Sequence, residues 1–157
     1  MSECENAKKR RVSVRNCTEE LLSSLECELE KQTEKTIVAV KKVKGEELSA
    51  YLTKMIDGYA KLSCEVEEQH GAKEKCGIKE MISRISSKID VEVGTMIDDS
   101  DERVAQMLIE DITVSVTDII RLVRELENSN CSEKALSLAR ETVSFQERSA
   151  EHLKDYL

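Results

Sequence analysis

The residues of this chain that could bind or transform a ligand are few, and most stand apart. Glu67 and His70 are three positions apart, which sets two side chains on one face of a helix, one above the other. A carboxylate and an imidazole so placed could supply half of a metal site. They equally describe a solvated helix end whose histidine interacts with the negative end of the helix dipole, and that is the preferred reading. Asp111, Ser115 and Asp118 recur at helical spacing on the most apolar stretch of the chain. Buried together, two carboxylates would suit acid–base or metal chemistry; the expected arrangement is a narrow polar strip facing water. Gln32, Thr33, Thr36 and Gln146 fall at core-facing positions. They are expected to form a buried polar layer that fixes helix pairing by hydrogen bonds at some cost in stability.

The six cysteines are Cys4, Cys17, Cys27, Cys64, Cys76 and Cys131, with no Cys-x-x-Cys pair among them. Neither a zinc knuckle nor a thioredoxin-type redox site is signalled. Scattered through a helical chain with a real core, they are expected to be reduced thiols. No serine or cysteine sits in a glycine-rich turn, and a Cys–His pair would require Cys64 or Cys76 to meet His70 through loop geometry. Catalytic activity is not expected, and no residue is assigned to catalysis, to a cofactor or to a metal.

These residues must be positioned by helices. The chain has 157 residues, no proline, five glycines and 36% charged residues, which is the composition of long helices with solvated outer faces in one domain. A polar and basic tail over residues 1–15, with Lys8-Lys9-Arg10-Arg11 and Arg15, is expected to be disordered, and residues 16–157 to form a single domain. The first helix is predicted from Asn16, which with Glu19 has capping-box spacing, to Lys44-Gly45, where glycine would supply a left-handed cap. The second carries Leu48, Leu52, Met55, Tyr59, Leu62 and Val66 on one stripe, so the two make an αα-hairpin. A polar loop from Gln69 to Gly77 precedes a shorter helix with Ile78, Ile82, Ile85, Ile89, Val93 and Met96, which stops at Asp98-Asp99-Ser100-Asp101.

The fourth helix is apolar on more than one face, with Ile109, Ile112, Val116, Ile119 and Val123 on one and Leu108, Val114 and Leu122 beside it. Asn130 and Glu133 repeat the capping-box spacing before a last helix with Leu136, Ala139, Val143, Ala150, Leu153 and Leu157. A net charge of −8 repels phosphate backbones, and 3% aromatic content without tryptophan removes most stacking platforms, so nucleic acid is not an expected partner. No apolar run approaches a membrane span and none near the start resembles a signal peptide, so no membrane partner is expected and the expected location is the cytoplasm.

Two long paired helices, a shorter crossover helix ending in an acidic turn, and two more long paired helices form a layout that resembles the ferritin-like superfamily. The likeness is in particular to small bacterial proteins of that fold related to rubrerythrins. It is carried by residues 20–43, by residues 48–69, and by the run from Met96-Ile97-Asp98-Asp99 through Asp118 to His152. The resemblance implies an all-α, antiparallel four-helix bundle with an additional crossover helix between the second and third long helices. Active members hold two metal ions with a glutamate from each of two helices and a Glu-x-x-His from each of the other two. Here Glu67 and His70 are one such pair, but Ser149 stands three residues before His152, and Gln32, Thr36 and Gln146 occupy positions where carboxylates would be sought. In such a path His70 and His152 fall at opposite ends.

The expectation is therefore a non-catalytic, metal-free ferritin-like bundle acting as an interaction or structural module. It would self-associate as a homodimer through the second apolar face of the fourth helix and could serve a further protein partner. The alternative is a carboxylate-bridged di-iron redox or storage protein with an irregular ligand set.

Overall fold

The computed structural model describes residues 3–89 and 100–157, with side chains from Cys17 onward. Five helices and no strand occur among the described residues: α1 (Glu3–Lys42), α2 (Glu46–Gln69), α3 (Ile78–Ser87), α4 (Asp101–Leu126) and α5 (Glu133–Leu153), followed by a 3₁₀ turn at Lys154–Tyr156. Val93, Met96 and the Asp98-Asp99 turn lie outside the described residues. So do the side chains of the leading basic stretch.

Side-chain contacts fix the direction of every long helix. His70 at the foot of α2 faces Glu26 of α1 at 3.7 Å, while the two helices are joined at their other ends through residues 43–45, so they run antiparallel. Lys35 of α1 pairs with Asp111 of α4 at 3.2 Å. Asp101, which opens α4, meets Lys44 and Gly45 beyond the end of α1, so α4 also runs antiparallel to α1. Gln69 of α2 reaches the Lys134 carbonyl at 3.2 Å, and Gln146 of α5 reaches Tyr59. Thus α5 is antiparallel to α2, and α2 and α4 run the same way. α3 packs against α1 and α2.

The core follows the apolar spacing. Leu21, Leu25 and Leu29 of α1 meet Leu52, Met55, Tyr59 and Val66 of α2, Val104, Leu108, Ile112 and Ile119 of α4, and Leu136, Ala139 and Leu153 of α5. A smaller cluster of Ile37, Ile56, Ala60, Cys64, Met81 and Ile85 seats α3. Ile112 and Ile119 are 1% and 2% exposed, whereas Val123 is half-buried against the core. The second apolar side of α4 is mostly internal: Leu108 is buried and Leu122 half-buried, leaving Val114 exposed at 62%. α5 ends at Leu153, so Leu157 falls beyond the helix and is exposed.

Four local expectations are corrected. α1 is already running at Asn16, so no capping box starts the helix there. Gly45 has φ −74° and supplies no left-handed cap; a β-carbon at this position would crowd a carboxylate oxygen of Asp101. At α5, Ser132 rather than Asn130 is the cap, accepting from the Ala135 amide at 3.5 Å. Asn130 instead adopts φ 58°, a left-handed conformation that a short amide side chain tolerates better than most. Finally, Cys17 and Cys131 are joined in a disulfide with Cα atoms 5.6 Å apart, so these two of the six cysteines are not reduced thiols. The bond ties the α4–α5 turn to α1, close to where the Ser132 amide donates to Thr18 Oγ1 at 3.0 Å.

Candidate functional site

Each of the four long helices carries buried polar side chains. Gln146 comes from α5, Ser115 from α4, Tyr59 from α2, and Gln32, Thr33 and Thr36 from α1, and all are buried. Helical spacing brings each inward: Gln146 continues the stripe of Leu138 and Thr142, and Ser115 sits between Ile112 and Ile119. Gln146 is 1% exposed. Its Nε2 donates to Ser115 Oγ at 3.0 Å and to Tyr59 Oη at 3.5 Å. Thr33, Thr36, Thr142 and Ser149 each donate to the carbonyl four residues earlier in their own helix, at 2.6–2.8 Å.

A buried polar group without a partner costs roughly 1–3 kcal/mol, a cost that these hydrogen bonds offset. Ser63 Oγ is the buried side-chain oxygen that has no hydrogen-bond partner among the described residues. Burial pushes the Tyr59 phenol well above its ordinary value, against a smaller opposing effect of the Gln146 hydrogen bond. The phenol is therefore neutral across the physiological range, and serves as a hydrogen-bonding hydroxyl. Phe145 stands edge-on to the Tyr59 ring, with centroids 5.0 Å apart.

The charged candidates do not converge. Glu67 pairs with Arg84 of α3, while His70, three residues on, turns to Glu26. Asp111 is half-buried and paired with Lys35; Asp118 is exposed and lines an open groove of about 350 Å³ between α1 and α4, with Cys27, Glu28, Arg121 and Glu125. Ser115, between them in sequence, points into the core. The stripe of Asp111, Ser115 and Asp118 is thus split, its serine joining the polar layer and its carboxylates staying at the surface. His152 stacks on Tyr51 of α2, with centroids 3.8 Å apart. Tyr51 and His70 are separated by nineteen residues of α2 and its end, or roughly 28 Å at helical rise, so the two histidines stand at opposite ends. Among the described residues no group of three or more His, Cys, Asp or Glu side chains could hold a metal ion.

Two contacts were not visible in residue spacing. Asp101 spans from the start of α4 to the α1–α2 turn, and Cys76 packs against the small core cluster that contains Cys64. Both join segments far apart in sequence, or from helix to loop, and periodicity carries no information about such pairs. No helix among the described residues is long and apolar enough to cross a membrane. No family model matches the chain, and no curated protein or solved structure matches it.

Proposed function

We propose that this chain is a non-catalytic helical module, built as a ferritin-like four-helix bundle, with a structural or protein-interaction role. The bundle reading is supported by the parallel directions of α2 and α4, which demand one long crossover of the kind ferritin-like folds use. The functional reading rests on the closure of the polar layer. Gln146 hydrogen bonds to both Ser115 and Tyr59, and the hydroxyls of Thr33, Thr36, Thr142 and Ser149 are spent on their own helices. Groups consumed in this way set which helix faces pair, as buried polar residues do in other helical assemblies. Glu67, His70 and Asp111 are likewise engaged by Arg84, Glu26 and Lys35.

Self-association belongs to the same proposal, and its support narrows to Val114 on the outer side of α4, because Leu108 and Leu122 turn inward. Location is revised. The expected cytoplasmic setting rested on the lack of a membrane-span-like run and of a signal-peptide-like segment, whereas a Cys17–Cys131 disulfide persists where thiols are oxidised, so an oxidising compartment is the setting proposed for the folded chain. Elemental analysis of protein purified from its native host tests the functional reading: iron, manganese or zinc near one or two ions per chain would overturn it. Sedimentation equilibrium tests the second part, since a monomer at high micromolar concentration contradicts a homodimer.

A further inference from the structure

We propose that Cys64 and Cys76 form a second, reversible disulfide that fastens the α2–α3 connection to α2. Cys64 is buried on α2, in the apolar cluster that seats α3. Cys76 packs against that same cluster from residues 71–77, which are not helical. The two are twelve residues apart, one held rigidly by a helix and the other carried on a segment without helical hydrogen bonds. Bonding requires the loop to bring Cys76 Sγ to roughly 2.05 Å from Cys64 Sγ. The Cys76 thiol acts on Cys64 as a near neighbour, while its own Sγ lies 3.8 Å from the Gly77 carbonyl.

The surroundings assign a role to each sulfur. Burial, the neighbouring Cys76 thiol and the negative charges of Glu67 and Glu68 push the Cys64 thiol up to about 12, so Cys64 is a poor first nucleophile. Cys76 is half-exposed and reachable from solvent. With a low-molecular-weight disulfide as oxidant, the Cys76 thiolate attacks one of its sulfurs and expels the other as a thiolate, leaving a mixed disulfide on Cys76. The Cys64 thiol then gives its proton to a solvent base, and its sulfur attacks Cys76 Sγ and expels the second small thiolate. Two protein thiols are oxidised and one small disulfide is reduced to two thiols.

The linkage matters because the tethered segment leads directly into α3, whose Gly77 carbonyl accepts the Met81 amide at 2.9 Å and whose Arg84 holds Glu67. Closing Cys64–Cys76 would fix the approach of α3 to α2, and opening it would release that constraint.

The experiment uses full-length protein carrying Cys4→Ser and Cys27→Ser, so that Cys64 and Cys76 are the thiols left outside the Cys17–Cys131 disulfide, treated at neutral pH with excess oxidised glutathione while circular dichroism confirms that the helices remain. Intact mass and peptide mapping should show loss of two hydrogens and a Cys64–Cys76 cross-linked peptide. Adding Cys64→Ser should instead trap glutathione on Cys76, and adding Cys76→Ser should leave Cys64 unmodified. Parent protein that retains glutathione on Cys76 with Cys64 free, or that remains unmodified at both, would overturn the proposal. So would Cys76 pairing with any cysteine other than Cys64.

Discussion

The carboxylate of Asp101 accepts the backbone amide of Gly45 at 2.8 Å and that of its neighbour Lys44 at the same distance. One side chain at the start of α4 thus satisfies two amides in the turn between α1 and α2, fifty-six and fifty-seven residues away. It also places negative charge at the positive end of the α4 dipole, beside Ser100, whose hydroxyl accepts the Arg103 amide at 3.2 Å.

Asp101→Ala should therefore destabilise the protein by about 1–2 kcal/mol, since bonds to a charged acceptor exceed neutral ones but these are partly exposed. Gly45→Ala should also destabilise, because its β-carbon would crowd the same carboxylate. The two effects are coupled: in an Asp101→Ala background Gly45→Ala should cost clearly less. Urea denaturation of the double-mutant cycle measures the difference. Equal costs in both backgrounds would show that glycine is needed there for another reason.

The buried Tyr59 phenol makes stability depend on alkaline pH. Its folded pKa lies above the ordinary value of 10.0, so the neutral form is favoured by folding. That contribution is fully present below pH 10 and is lost as pH rises from there towards the folded value, with a slope near 1.4 kcal/mol per pH unit for one group. Tyr59→Phe should lower stability by about 1 kcal/mol at pH 7 through loss of the hydroxyl's partnership with Gln146. The variant should decline less steeply than the parent between pH 10 and pH 11. Denaturant midpoints of the two proteins across that range test both statements.

The Cys17–Cys131 bond closes a loop with a sequence separation of 114. On chain-entropy grounds a link of that length stabilises by about 4–5 kcal/mol, as an upper figure. Changing both cysteines to serine, or reducing the bond with dithiothreitol, should lower the melting temperature substantially, and reduction should have no comparable effect on the double variant. Equal responses to reductant in the parent and the double variant would contradict the cross-link.

Ile119 of α4 is buried in the main core, whereas Val123, one turn further on, is half-buried. Ile119→Ala should cost on the order of 2–5 kcal/mol by lost transfer energy and the cavity left behind. Val123→Ala should cost less. Thermal melts of the two variants order them, and a reversal would mean that α4 is rotated from its described face.

Much of this arrangement could be read from residue order, for a physical reason. The stripe of Leu52, Met55, Tyr59, Leu62 and Val66 repeats at the helical period, and burial of that face drives α2 into the core. The same holds for Gln32, Thr36 and Gln146, polar residues at positions whose period already marked them as internal. Helix ends were less legible. Asn130 and Ser132 are both competent caps, and the choice depends on the Ser132 amide meeting Thr18, a contact across 114 residues. The glycine at position 45 was visible, but its purpose was not, because it makes room for Asp101 instead of adopting a left-handed conformation. The Cys17–Cys131 and Cys64–Cys76 pairs could not be derived, since six scattered cysteines allow many pairings and only the folded path brings particular ones together.

Anaerobic titration of the metal-free protein with Fe(II), followed by admission of oxygen, is the most direct test of a bundle whose interior polar groups serve helix pairing and not metal chemistry. No stoichiometric iron uptake and no oxo-bridged absorption are expected, with Gln146 remaining bonded to Ser115 and Tyr59. Uptake of two irons per chain with that absorption, abolished by changing Asp111 and Asp118 to alanine, would contradict it.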